Sequence, residues 1–149
     1  MTTGLEIKTD GPIFDKIKTD SIVNEARRAT IRELIEKGEQ RLDKMLKPRP
    51  GGVYLSIQQA GKGKASTGNY RRRVQGNVTS AGAWTVGKIH DSGVVYGPWL
   101  EGTSARNQTT RFKGYAQFRK TKDWLEKTQM KPTLKKHAAY FERRLHHGI

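Results

Sequence analysis

Apolar side chains recur at three- and four-residue spacings from about Asp20 to Lys47. Ile22, Val23, Ala26, Ala29, Leu34, Leu42, Met45 and Leu46, with Thr30 among them, fall on one side of a helical projection. The spacing predicts one long amphipathic helix. Asp20 or Ser21 is positioned to cap its start, and Glu33 with Lys37 makes an i,i+4 ion pair expected on its outer face. Pro48 and Pro50 end it, since neither can continue a helix and each disfavours helical geometry in the residue before it. Gly38 costs such a helix about 1 kcal/mol relative to Ala and would suit a close crossing by another element.

The period then changes. Val53, Leu55 and Ile57 alternate with Tyr54, Ser56 and Gln58, and a second alternation runs through Tyr70, Arg72, Val74 and Val78. A third extends from Trp84 through Val86 to His90. A fourth apolar run, Gly93 to Leu100, follows the turn residues Asp91 and Ser92. Four short strands separated by Gly- and Ser-rich turns predict an antiparallel sheet. Pro98 cannot donate to a ladder, so the fourth strand is expected to end there or to lie at an edge. Between the first two runs, residues 59–69 read as a polar loop carrying Lys62 and Lys64.

Helical periodicity returns after residue 111. Phe112, Tyr115, Phe118, Lys122 and Leu125 share a face, with Trp124 beside it. Residues 128–132 interrupt the pattern, and a last helix is expected from about Pro132, which suits a first turn, to His146. Its apolar side carries Leu134, Ala138, Phe141 and Leu145. The resulting fold class is α+β in one domain spanning residues 1–149: a long N-terminal helix, a four-stranded antiparallel sheet with an extended basic hairpin loop, and C-terminal helices. Residues 1–19 are expected to form an extended N-terminal arm. They alternate apolar and charged residues and lack the apolar centre of a signal peptide.

Charge sharpens this picture. The chain carries 29 Lys and Arg against 14 Asp and Glu, a formal +15, which attracts polyanions or acidic neighbours without saying anything about fold. The excess is uneven. Residues 1–50 hold 11 basic and 9 acidic side chains, whereas residues 102–149 hold 12 and 3. The absence of cysteine excludes disulfides and thiolate metal sites. No apolar run approaches the 18 residues or so of a membrane span, so no membrane partner is expected.

Candidate chemistry is sparse. His90, His137, His146 and His147 lack metal-ligand spacing, and no metal or cofactor is expected. The Gly61–Thr67 stretch lacks the spacing of a phosphate-binding loop, and no serine sits in a nucleophile elbow. Asp91 and Glu101 read more simply as turn and salt-bridge residues than as a catalytic pair, with a small hydrolase built on Asp91 or His90 as the weakest alternative. The expectation is a non-enzymatic protein. Lys62, Lys64, Arg71, Arg72 and Arg73 form the densest cationic group, with Arg71 and Arg73 on one strand face and Arg72 on the other if the strand forms. A charged edge strand guarded against aggregation and a phosphate contact are comparable readings of it. Aromatics are not interleaved with these cations, so any nucleic-acid contact should ignore sequence.

The stretch from Val94 to Lys120 resembles a signature of the tail-completion, or head–tail joining, proteins of long-tailed bacteriophages. The resemblance rests on Tyr96, Pro98, Trp99, Leu100 and Glu101, then Gly102, Thr103 and Ser104, then Arg111 and Phe112. It covers about a fifth of the chain, and the order of elements is similar over nearly all of it. The resemblance implies a structural virion protein of the neck or tail, made in the host cytoplasm. It would form a hexameric ring between the head–tail connector or adaptor and the tail terminator or tail tube, through which double-stranded DNA passes. Trp99, Glu101, Thr103, Ser104, Arg106 and Arg111 would then serve a subunit or ring interface, with Glu101 paired to Arg106 or Arg111. Lys62, Lys64 and Arg71 to Arg73 would face the DNA channel or a neighbouring ring. Leu100 and Phe112 are expected in the core. The alternative function is a sequence-independent nucleic-acid-binding protein acting alone.

Overall fold

The computed structural model describes residues 16–46, 69–81 and 84–147. Helix α1 (Lys16–Met45) is the spine of the molecule. After a short helix, α2 (Asn69–Arg73), the strands β1 (Gln75–Ala81) and β2 (Trp84–His90) form an antiparallel hairpin. Two more short helices follow, α3 (Gly97–Glu101) and α4 (Ala105–Thr109). Helix α5 (Gln117–Trp124) then runs through a π turn (Leu125–Gln129) directly into α6 (Met130–His147). The mixed helix-and-sheet class, the long N-terminal helix and the C-terminal helices are as the sequence predicts, but the first helix already runs from Lys16, so Asp20 and Ser21 lie inside it and do not cap its start.

The α5–α6 rod lies antiparallel to α1. Met45 meets Thr121 near one end, where the hydroxyl donates to Sδ at 3.8 Å, and Glu25 meets Arg144 at the other, at 2.5 Å. Polar contacts run along the seam between them. Lys37 Nζ donates to Thr133 Oγ1 at 3.0 Å, and Thr30, Thr121 and Thr133 are all buried. The Glu33–Lys37 pair forms at 2.9 Å, but it lies in this seam rather than on the outer face. Its carboxylate also meets Lys136 at 2.7 Å and His137 at 2.9 Å. Hydrogen bonds from these groups, Lys136 and Lys37 foremost, hold the Glu33 carboxyl down to a pKa of about 2.

The hairpin covers another side of α1. Its register pairs Gln75 with His90 and Ala81 with Trp84. Gly76, Val78, Ser80, Thr85, Gly87 and Ile89 point inward, and small residues let the helix approach closely. A Cβ on Gly87 would lie 2.7 Å from Ile31 Cγ2 and from Ile35 Cγ1. Gly38 does mark a close crossing, since a Cβ there would be 2.4 Å from Ile89 Cδ1 and 3.1 Å from Leu125 Cδ1. The apolar core sits at the far end of α1, where Leu42, Leu46, Tyr70 and Val94 are buried together against Val74, Ile89, Leu100 and Phe118.

The predicted sheet needs correction. Among the described residues it has two strands; the run at residues 53–58 lies outside them. The second predicted strand starts late because residues 69–73 form a helical turn. That turn carries Tyr70 and Val74, four apart, into the core cluster while Arg71 reaches back to Asp43. The fourth run is helical from Gly97. There Pro98 occupies the first turn, where its missing N–H costs nothing.

The C-terminal elements also differ from expectation. Residues 112–116 are not helical, because Gly114 and Ala116 adopt positive φ values of 85° and 52°. The interruption expected at residues 128–132 is not a break. Pro132 lacks the N–H that an α-helix would send to the carbonyl of residue 128, and the rod accommodates it by widening into a π turn just ahead.

Candidate functional site

The segment that carries the family resemblance folds as a small knot on itself. Helix α3 ends at Gly102, whose φ of +86° is the left-handed conformation that favours glycine. A Cβ at Gly102 would lie 2.1 Å from the carbonyl oxygen of Lys113, so two backbones touch here. Thr103 N–H donates to the Pro98 carbonyl at 2.9 Å. Ser104 caps α4 through a reciprocal box with Asn107, the hydroxyl accepting from the Arg106 N–H at 3.1 Å and the amide oxygen accepting from the Ser104 N–H at 3.1 Å.

Asn107 is the hub of this knot, and the sequence pattern does not single it out. It is 3% exposed, and its amide nitrogen donates to the carbonyls of Trp99 at 2.9 Å and Phe112 at 3.0 Å. Burying an amide is tolerable only when its hydrogen bonds are made, and here three are. The signal available in the sequence is the Ser104-x-x-Asn107 spacing. Around it, Trp99 packs on Phe112 with ring centroids 4.6 Å apart, and Phe112 on Tyr115 at 5.0 Å. Phe112 and Leu100 are half-buried, and Leu100 packs against the core cluster.

Within the chain Glu101 pairs with neither arginine. Its two oxygens accept from the N–H groups of Gln117 at 2.9 Å and Phe118 at 3.0 Å, the first turn of α5. A carboxylate at a helix N-terminus satisfies otherwise unpaired donors and meets the positive end of the helix dipole. Ala116, the residue before α5, has no side chain to do this, so a residue 16 positions before Gln117 caps the helix. Arg106 instead lies over the Trp99 ring at 6.0 Å, and both Arg106 and Arg111 are exposed.

The candidate DNA-facing cluster is divided. Lys62 and Lys64 lie outside the described residues. Because residues 69–73 are helical, the strand-face assignment of the arginines does not hold: Arg71 is bound to Asp43 at 2.5 Å, while Arg72 and Arg73 are exposed. The residues of the weakest alternative, a hydrolase, are occupied with turn chemistry. Asp91 Oδ1 accepts from Gly93 N–H and His90 Nδ1 from Ser92 N–H, each at 3.1 Å, which closes the β2–α3 turn. Tyr70, buried beside Glu101 and Asp91, has its hydroxyl pKa pushed up, mainly by desolvation. Among the described residues no group of three or more His, Asp or Glu is placed to hold a metal, and no helix is long and apolar enough to cross a membrane.

A different surface stands out. Trp84 is 78% exposed at the tip of the hairpin, and Val86 beside it on the outer sheet face is also exposed. Trp84 borders an open groove of about 590 Å³ between α1, β2 and α6, lined by Val23, Ile31, Leu134 and Phe141 among others. Leu134 and Tyr140 of α6 add further exposed apolar area. Arg27 and His137 bring charge or polarity to the groove wall. Comparison of the chain with protein-family models, curated proteins and solved structures found no match.

Proposed function

We propose that this chain is a structural subunit of a phage neck or tail, built to assemble into a ring, hexameric by the family resemblance, that joins the head connector to the tail tube and lets DNA pass. The observation that carries the assembly reading is the open apolar groove lined by Val23, Ile31, Trp84, Leu134 and Phe141, with Trp84 and Leu134 exposed at it. Large contiguous apolar patches are unusual on soluble monomers and mark interaction sites. In a ring, a neighbouring copy covers such a patch through a head-to-tail interface that closes by rotation. Arg106 and Arg111 project from a loop whose backbone is fixed by Asn107 and Glu101, so they are presented on a rigid mount. This supports their assignment to a contact between rings. The phage identity rests on the Val94–Lys120 resemblance.

Locating the chain in purified particles tests the reading. Gel densitometry of particles is expected to give about six copies for each particle, and cross-linking is expected to join the chain to connector and tail-tube proteins. Particles that are complete and infectious without the chain would overturn it. The second reading, a nucleic-acid-binding protein acting alone, is favoured by the net charge and predicts tight, steeply salt-dependent DNA binding by a monomer.

A further inference from the structure

The outer side of the C-terminal rod carries a row of cations that no carboxylate among the described residues neutralises. Lys127, Lys131 and Lys135 are spaced four apart and all exposed. Thr133, two residues from both Lys131 and Lys135 and hence on the opposite side of the helix, is 1% exposed in the seam with α1. The row therefore faces away from the rest of the molecule. The acidic side chains of α1 that face the rod are engaged elsewhere, while Asp123 and Glu142 bound the row on either side and form no ion pair with it. Glu25 holds Arg144, Glu33 holds Lys37, Lys136 and His137, and Asp43 holds Arg71. Glu126, the nearest in sequence, reaches back to Lys122 at 3.7 Å. Asp123 stands one turn before Lys127.

We infer that this row is a contact for the phosphate backbone of duplex DNA. From Lys127 to Lys135 it runs about 12 Å along the helix axis. A duplex presents roughly seven phosphate charges over that length, at about one per 1.7 Å. Three flexible ammonium groups match such a target by charge alone and need no register. Positions 123, 127, 131, 135 and 138 hold no aromatic side chain, so bases are not read by stacking and the contact is independent of sequence. The inference deepens the ring reading and rests on it for the identity of the polyanion as genomic duplex. It assigns the channel-facing role to α6 rather than to Arg71–Arg73, of which Arg71 is already paired.

The test is fluorescence anisotropy of a short random-sequence duplex titrated with the full chain at several salt concentrations. Each lysine removed from a phosphate should reduce the slope of log K against log salt by about 0.9, so replacing Lys127, Lys131 and Lys135 together by Gln should lower it by about 2.7. Asp123→Lys extends the row by one turn and should steepen it. Arg72→Gln with Arg73→Gln serves as the comparison and should move the slope less. Far-ultraviolet circular dichroism confirms that each variant is folded, and Asp123→Lys keeps the test open if the triple variant is not. A slope unchanged in both row variants, a larger loss from Arg72 and Arg73, or a row that binds anionic vesicles but not duplex overturns the inference. Sedimentation in the same buffers reads the oligomer independently. A chain that fails to form rings yet keeps the row-dependent slope contradicts only the ring reading.

Discussion

Glu33 Oε2 lies 2.7 Å from Nζ of Lys136, a residue 103 positions later, and this contact ties the middle of α1 to α6. The same carboxylate meets Lys37 and His137, so three cationic or proton-bearing groups converge on one acid between the two helices.

That convergence gives a pH dependence with a definite sign. The Glu33 pKa is about 2 in the folded chain against an ordinary value of 4.5. A carboxyl whose folded pKa is depressed stabilises the fold above its unfolded pKa and loses that contribution as pH falls towards the folded value. Chemical-denaturation midpoints should fall between pH 5 and pH 2, and Glu33→Gln should flatten that decline. An identical acid profile in Glu33→Gln would show that the seam does not depend on this charge.

Glu101→Ala removes the acceptor for two N–H groups at the start of α5. Loss of a helix cap costs about 0.5–2 kcal/mol, and urea denaturation should find a loss in that range. Glu101→Gln keeps one acceptor oxygen and should lose less. Equal stability in all three proteins would contradict the capping role.

Gly102→Ala meets two obstacles at once, a φ of +86° and a backbone oxygen 2.1 Å from the new Cβ. Left-handed geometry alone costs a non-glycine residue about 1–2 kcal/mol, and backbone cannot move aside as a side-chain end can. The variant should unfold the knot locally, read as a shift in tryptophan emission from Trp99 and faster amide exchange over residues 98–115. Unaltered exchange there would contradict the tight approach of Gly102 to Lys113.

Asn107→Ala removes one hydrogen bond each from the carbonyls of Trp99 and Phe112 and from the Ser104 N–H, which keep weaker bonds to Gly102 N–H, Thr110 Oγ1 and the Pro98 carbonyl. A net hydrogen bond is worth about 0.5–1.5 kcal/mol, so losing three should be at least as damaging as the loss of Glu101. Asn107→Asp keeps the acceptor but loses both donors, and should lie between the parent and Asn107→Ala in thermal stability. An Asn107→Ala chain as stable as the parent would remove Asn107 as the hub of the loop.

Long-range periodicity makes α1 legible, because nine positions over 25 residues repeat one spacing. The β2 alternation is legible for the same reason. What escapes the sequence is short elements whose pattern fits two periods. Tyr70 and Val74 lie on one side of a strand and equally on one side of a helical turn, and burial of both beside Leu42 decides for the turn. The Gly97–Leu100 run is apolar enough for a strand, yet Pro98 and the left-handed Gly102 make it a helix. Of the candidate site, the loop between Pro98 and Arg111 is visible as a dense mixture of residue types. Its inner logic is not, since Glu101 finds backbone donors 16 and 17 residues away and Asn107 bonds across the loop. The groove beneath Trp84 is also illegible, because it joins residues of α1, β2 and α6.

The mass of the assembly formed by the purified chain, measured by native mass spectrometry alone and with the tail-tube protein that the proposed function assigns to it, tests the central claim most directly. The account predicts closed rings of six copies that Trp84→Glu reduces to folded monomers. A parent chain that remains monomeric in both settings, with Trp84→Glu making no difference, would contradict it.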